Sequence, residues 1–224
     1  MRKIASVMTL IVLAYVVAAA QQRKDLTQAD VFAILNGPPE PFEALMKDVD
    51  AALADNPSNP YARFLHGVGL SRRSLDAVQR QDFKSATELW QQALGELDTA
   101  RILAPDNEKV IGSRAAFLIS VSRQMPKDIE RTFLPSVSAD FEKVLRTWDA
   151  DGRQRSVHER GELLTGLAES LARTGKEEQA RSYFDRVLTD LPGSVYATRA
   201  RQWLDGSPES RKPAFFGCVG CHQQ

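Results

Sequence analysis

Cysteine, histidine and methionine are scarce in this chain: 224 residues hold two, three and four of them. A zinc site built within the chain would have to draw on Cys218, Cys221 and the histidines His66, His158 and His222, which is a poor supply. Strand signals are almost missing too. Apolar and polar residues rarely alternate and β-branched residues are scattered, which excludes a sheet-based fold. Net charge is absent, with 29 basic and 29 acidic residues, and this argues against a nucleic-acid partner. Beyond residue 20 no stretch is apolar enough to span a bilayer. No phosphate loop, nucleophile–base set or carboxylate pair stands out, so the composition points to no enzyme class. Acidic residues are spread as exposed helix faces would spread them. A chain of this length can bury a core without cysteines, which weakens the reading of its two as a structural staple.

The first 20 residues do form an apolar run. Arg2 and Lys3 make a short basic start, Ile4 to Ala20 is uncharged, and the run closes on Ala18-Ala19-Ala20. This reads as a secretory signal over residues 1–20, cleaved after Ala20. Kept in place, it would be a membrane anchor at the lower edge of spanning length. No cysteine stands near the site, which excludes lipoprotein anchoring. The expected location is outside the cytoplasm: a bacterial periplasm, or the outer face of the cytoplasmic membrane.

Both cysteines fall in one run, Cys218-Val219-Gly220-Cys221-His222. C-x-x-C-H is the attachment sequence of a c-type haem. Two intervening residues space the thiols of Cys218 and Cys221 for thioether bonds to the haem vinyl groups. His222 then lies under the iron as proximal ligand. Covalent haem attachment takes place outside the cytoplasm, in agreement with the signal. A redox dithiol would call for a thioredoxin-like strand–helix unit, which the pattern lacks. The five residues resemble c-type cytochromes, whose small members carry the motif near the N-terminus with a methionine after it. Here it comes late and no methionine follows. Cytochrome c′ carries its motif near the C-terminus on the last helix of a bundle, whereas here a Pro/Gly-rich stretch precedes it.

From Thr27 to Leu204 the apolar spacing is helical almost throughout. Leu164, Leu167, Ala168 and Leu171 share one face, Gly175 marks a turn, and Ala180, Phe184 and Val187 stripe a second helix that Pro192 stops. Small residues at 168 and 180 let the two helices approach, and Leu171 and Phe184 fill the space beside them. This hairpin resembles a tetratricopeptide repeat at nearly every signature position. Weaker copies of its second helix stand at Ala93, Leu97, Ala100 and Pro105, and at Leu45, Val49, Ala52 and Pro57. A further one spans Pro135 to Trp148, using Val137, Phe141 and Val144, with Asp149 to Gln154 as a polar turn. The units exceed the usual length, so helices between Ala62 and Leu103 should be longer than in the standard repeat.

The resemblance implies an all-α fold: antiparallel helical hairpins in a right-handed tetratricopeptide-like solenoid, with an irregular haem-bearing tail. The expected organisation is a signal (1–20), a short helix and linker (21–40) capped by Thr27 and Asp30, a repeat domain (41–205), and a tether with the attachment site (206–224). Val195 to Leu204 should form a terminal helix covering the last hairpin.

One covalent haem c makes electron transfer the expected job, with the repeats as a docking module for protein partners. Those partners are other redox or membrane-complex subunits, or a second copy of the chain. A membrane enters only by association or through an uncleaved signal. The alternatives are a scaffold with structural haem and a ligand-binding protein with open iron. The second axial ligand separates them, and its candidates are His158, Met125, His66 and Met46. Packing is the competing role for His66, Met46 and Met125, and a surface or capping role for His158. Phe215 and Phe216 precede the motif and are suited to a porphyrin edge or to docking the tail. Arg199, Arg201, Arg211 and Lys212 are suited to haem propionates or to a solvated surface.

Overall fold

The computed structural model describes residues 26–207. The signal segment, Phe215, Phe216, Arg211, Lys212 and the Cys218–His222 motif lie outside the described residues. Among the described residues there are nine α-helices and no strand. They are α1 (Gln28–Asn36), α2 (Pro39–Asp55), α3 (Pro60–Gln79), α4 (Phe83–Leu103), α5 (Glu108–Ser122), α6 (Lys127–Asp151), α7 (Val157–Arg173), α8 (Glu177–Asp190) and α9 (Val195–Leu204). The fold is all-α, as the periodicity predicts. The chain divides into two compact units, one up to Thr99 and one from Ala100 onward.

In the first unit the helix ends follow from capping chemistry. The Thr27 amide donates to the Asp30 carboxylate at 2.6 Å, which completes a capping box at the start of α1. Gly37 closes α1, and a Cβ there would stand 2.4 Å from the Ala33 carbonyl oxygen, so only glycine fits. The helices α2 and α3 each open on a proline, where the missing N–H costs nothing. Asn59 accepts hydrogen bonds from the Tyr61 and Ala62 amides at the start of α3. With 20 and 21 residues, α3 and α4 are the lengthened helices expected between Ala62 and Leu103. Phe42, Leu45, Met46 and Val49 of α2 are buried, as are Phe64, Leu65 and Val68 of α3 and Ala93 and Leu97 of α4. Gly67 brings α3 close to α4: a Cβ there would lie 3.0 Å from the Ala93 carbonyl oxygen.

The second unit contains the hairpin that the sequence marks most clearly. Leu164, Leu167, Ala168 and Leu171 of α7 and Ala180, Phe184 and Val187 of α8 have no exposed surface. Gly175 turns the chain between them at a φ of 82°, a left-handed conformation that costs a side-chain-bearing residue ~1–2 kcal/mol. The helices pack in sequence, α5 on α6, α6 on α7 and α7 on α8, while α5 also touches α7. As expected, α9 spans Val195–Leu204 and packs on α8, and it touches α7 as well. Its Trp203 ring centroid lies 4.4 Å from that of Phe184. Burying an aromatic ring such as Phe184 contributes ~1.5–3 kcal/mol.

Two boundaries differ from expectation. The third second-type helix begins at Lys127 rather than Pro135, which leaves Pro135 inside α6. Pro135 is exposed, so the carbonyl it leaves without a helical donor, at Arg131, belongs to an exposed residue that water can serve. The same helix continues through Asp149 to Asp151 before Gly152, at a φ of 64°, ends it. Val137, Phe141 and Val144 are buried as expected.

Candidate functional site

Cys218, Cys221 and His222 lie outside the described residues, so of the expected site residues only the four candidates for a second axial ligand can be located. A ligand to an approaching haem must present an imidazole or thioether lone pair outward. The four candidates meet that condition very differently.

Met46 is 1 % exposed in the core of α2. Its sulfur packs so tightly on α3 that a Cβ at Gly69 would approach it to 2.3 Å. It is core filler and offers no lone pair to the surface. His66 of α3 is half-buried between two carboxylates. Its Nδ1 is 3.4 Å from Glu96 Oε1 and its Nε2 is 3.7 Å from Asp50 Oδ1. Glu96 is in turn gripped by Arg63, which donates to both carboxylate oxygens at 2.9 Å. Met125 is half-buried in the turn between α5 and α6, where its amide donates to the Ser122 carbonyl.

His158 differs from all three. It is exposed on the first turn of α7. Ser156 and Glu159 form a capping box there, which sets the start of the helix and so the direction of the His158 side chain. The two hydrogen bonds from Ser156, backbone first, hold the Glu159 carboxyl below its ordinary pKa. His158 Nδ1 lies 3.0 Å from the Tyr196 hydroxyl oxygen, and that hydroxyl donates to Glu162 Oε1 at 2.8 Å. His158 and Glu162 are four residues apart and therefore neighbours on one face of α7. Tyr196 comes from the first turn of α9 and is buried. Gly161 makes room for it: a Cβ at that position would meet the Tyr196 ring at 2.4 Å.

The hydrogen-bond direction follows. A phenol has one proton, and the Glu162 carboxylate is its stronger acceptor. With its own proton on Glu162, the Tyr196 hydroxyl is left to accept from His158 Nδ1. An oriented imidazole, its other nitrogen hydrogen-bonded, is the arrangement that makes a good metal ligand. Of the four candidates, His158 alone is exposed and held by a hydrogen bond at one ring nitrogen. Among them, no group of three or more histidine, cysteine, aspartate or glutamate side chains could hold a free metal ion.

A second feature escaped the sequence reading, which spread acidic residues over exposed faces. Asp30, Glu130, Asp140 and Glu169 are all buried, and so is Arg114. In the second unit, Arg114 and Arg101 donate to the two oxygens of Asp140 at 2.5 and 2.6 Å. Glu169 receives Arg123 and Arg173, and Arg173 also pairs with Glu130 and donates to the Ser122 carbonyl. These groups bind α5, α6 and α7 together. The available signal was position: Glu169 falls among Leu163, Leu164, Leu167, Ala168 and Leu171, and Arg114 lies four residues from both Val110 and Leu118. Of the cationic cluster, Arg199 and Arg201 stand on α9, half-buried and exposed.

No helix of the described residues is long and apolar enough to cross a membrane. Comparison with protein-family models, with curated proteins and with solved structures gives no match. The functional reading therefore rests on residues and geometry.

Proposed function

We propose that this chain is an exported monohaem c-type cytochrome that transfers electrons as a subunit or docking partner of a larger redox complex. The observation that carries it is the pairing of the only two cysteines with His222 in Cys218-Val219-Gly220-Cys221-His222. Cys218 and Cys221 hold the porphyrin through thioethers and His222 is the proximal ligand. The bound group supplies a one-electron iron couple. The apolar segment ending at Ala20 supports export to a periplasm or to the outer face of the cytoplasmic membrane.

The helical body serves protein contacts. The pairs α5–α6 and α7–α8, with α5 touching α7 and α9 closing on α7 and α8, support a tetratricopeptide-like right-handed solenoid, a type of scaffold that binds partners along its surface. A haem carried on so short a segment needs cover from this body or from a partner, because exposed porphyrin would leave apolar area in water.

Expression of the full chain in a host with haem-attachment machinery tests the reading. The expected product keeps haem on a denaturing gel and is reversibly reduced by a small donor. Haem staining disappears in the double variant Cys218→Ala/Cys221→Ala. Covalent haem retained in that variant, or never found in the parent, overturns the proposal.

A further inference from the structure

We propose that His66 is a proton-operated clamp in the first unit: charged, it ties Asp50 of α2 and Glu96 of α4 to α3, and neutral, it releases one of them. The clamp shares no residue with the attachment motif and needs no haem.

Three helices meet at this ring. His66 sits on α3 with Nδ1 3.4 Å from Glu96 Oε1 and Nε2 3.7 Å from Asp50 Oδ1. Each ring nitrogen therefore faces its own carboxylate, and the two carboxylates come from different helices. Nδ1 is buried and makes no hydrogen bond. Both separations stand slightly beyond the roughly 2.7–2.9 Å of a charge-assisted bond, so a small turn of the ring closes either. The imidazole keeps a path to water, with 22 % of its side chain exposed, so a proton can reach it.

A neutral imidazole has one N–H and one lone pair. Whichever nitrogen holds the proton, the other turns its lone pair toward a carboxylate oxygen, and the two repel. The imidazolium donates from both nitrogens and serves both carboxylates at once. Histidine is the side chain that makes this change near neutral pH.

The charges around the ring favour the same response. Arg63, one turn earlier on α3, donates to both oxygens of Glu96 at 2.9 Å and to the Pro57 carbonyl at 3.0 Å. It keeps that carboxylate in place beside His66 in either state. Asp30, the acidic residue of α1, which also packs on α3, accepts from the Thr27 amide and hydroxyl at 2.6 and 3.2 Å. The charges facing the ring are Asp50, Glu96 and, behind Glu96, Arg63. Asp50 is 59 % exposed, so water screens its arm and the clamp is a modest one.

The sign follows from linkage. Only the protonated ring clamps, so the stabilisation is full below the free imidazole value, about 6.5, and fades as the pH rises above it. Hydrogen exchange of the full-length protein tests this, comparing parent and His66→Gln at one pH at a time. Near pH 5.5 the backbone amides of α2 and α4 should exchange several-fold more slowly in the parent, and near pH 8 the two proteins should exchange alike. Asp50→Asn, at an exposed site, removes one arm and should cost the α2 amides their protection near pH 5.5 only. A parent–variant difference of the same size at both pH values, or none at either, overturns the proposal, because the ring would then act by packing or not at all. Exchange in Asp50→Asn that matches the parent near pH 5.5 overturns it too. Should His66→Gln lose its helical circular dichroism, the Asp50→Asn comparison decides alone.

Discussion

Glu169 and Arg173 lie one turn apart on α7 and pair at 2.9 Å in a cluster where the glutamate is 2 % exposed. Arg123 from the C-terminal end of α5 and Glu130 from the first turns of α6 complete it. Charges this deep are held in place only while every partner is present, because each ion has given up its hydration.

Removing one partner should therefore do more harm than removing several. Arg173→Met leaves Glu130 and Glu169 facing each other without their shared cation, at a cost of ~3–5 kcal/mol in unfolding free energy. The combined change Arg173→Met/Glu130→Leu/Glu169→Leu/Arg123→Met should recover much of that loss. Urea unfolding of the two proteins checks this. Equal destabilisation by both would show that the helices depend on the charges themselves.

Pro135 carries a different expectation. It stands on the exposed side of α6, eight residues past Lys127. Alanine there restores the amide hydrogen bond to the Arg131 carbonyl. Pro135→Ala should raise stability by about 1–3 kcal/mol, visible as a higher denaturation midpoint with an unchanged slope. A loss of stability would mean that the helix is shaped by its proline and that the neighbouring packing depends on that shape.

Acid should loosen the ion pairs that tie α6 to α7 and α8. The hydrogen bond from Arg186, at 2.5 Å, holds the Asp149 carboxyl below its ordinary pKa, with Arg160 adding to it at 3.6 Å. A carboxylate with a lowered pKa in the folded state stabilises fully above its unfolded value, about 3.9, and loses that contribution as pH falls through the folded value. The stability difference between the parent and Asp149→Asn should thus be constant above about pH 5 and close as pH falls below 4. Unfolding curves collected from pH 6 down to pH 3 test this. A difference that persists unchanged at pH 3 would assign the effect to packing rather than charge.

Much of this protein could be read directly from its residues. The hairpin of α7 and α8 was legible because its signals are local: Leu164, Leu167, Ala168 and Leu171 repeat at helical spacing, Gly175 turns the chain, and Pro192 follows the end. The cap at Thr27 and the terminal helix from Val195 were legible for the same reason. The attachment motif is also local, since two thiols and an imidazole need only adjacent positions.

Tertiary structure alone decided the rest. Pro135 signals a helix start by local rules, and only its exposure within α6 explains why the helix runs through it. Glu169 and Arg114 look like surface charges until α5, α6 and α7 pack, which brings Arg123 to Glu169 from 46 residues away and Ser136 and Asp140 to Arg114 from 22 and 26. His158, Met125, His66 and Met46 were equal as a list of donor atoms. Folding separated them by burying Met46, hemming His66 between carboxylates, and carrying Tyr196 across 38 residues to orient His158. Composition and spacing determined the helices and carry the proposed attachment motif, because both depend on near neighbours. The direction of a lone pair and the burial of a charge depend on distant residues that meet only when the helices pack.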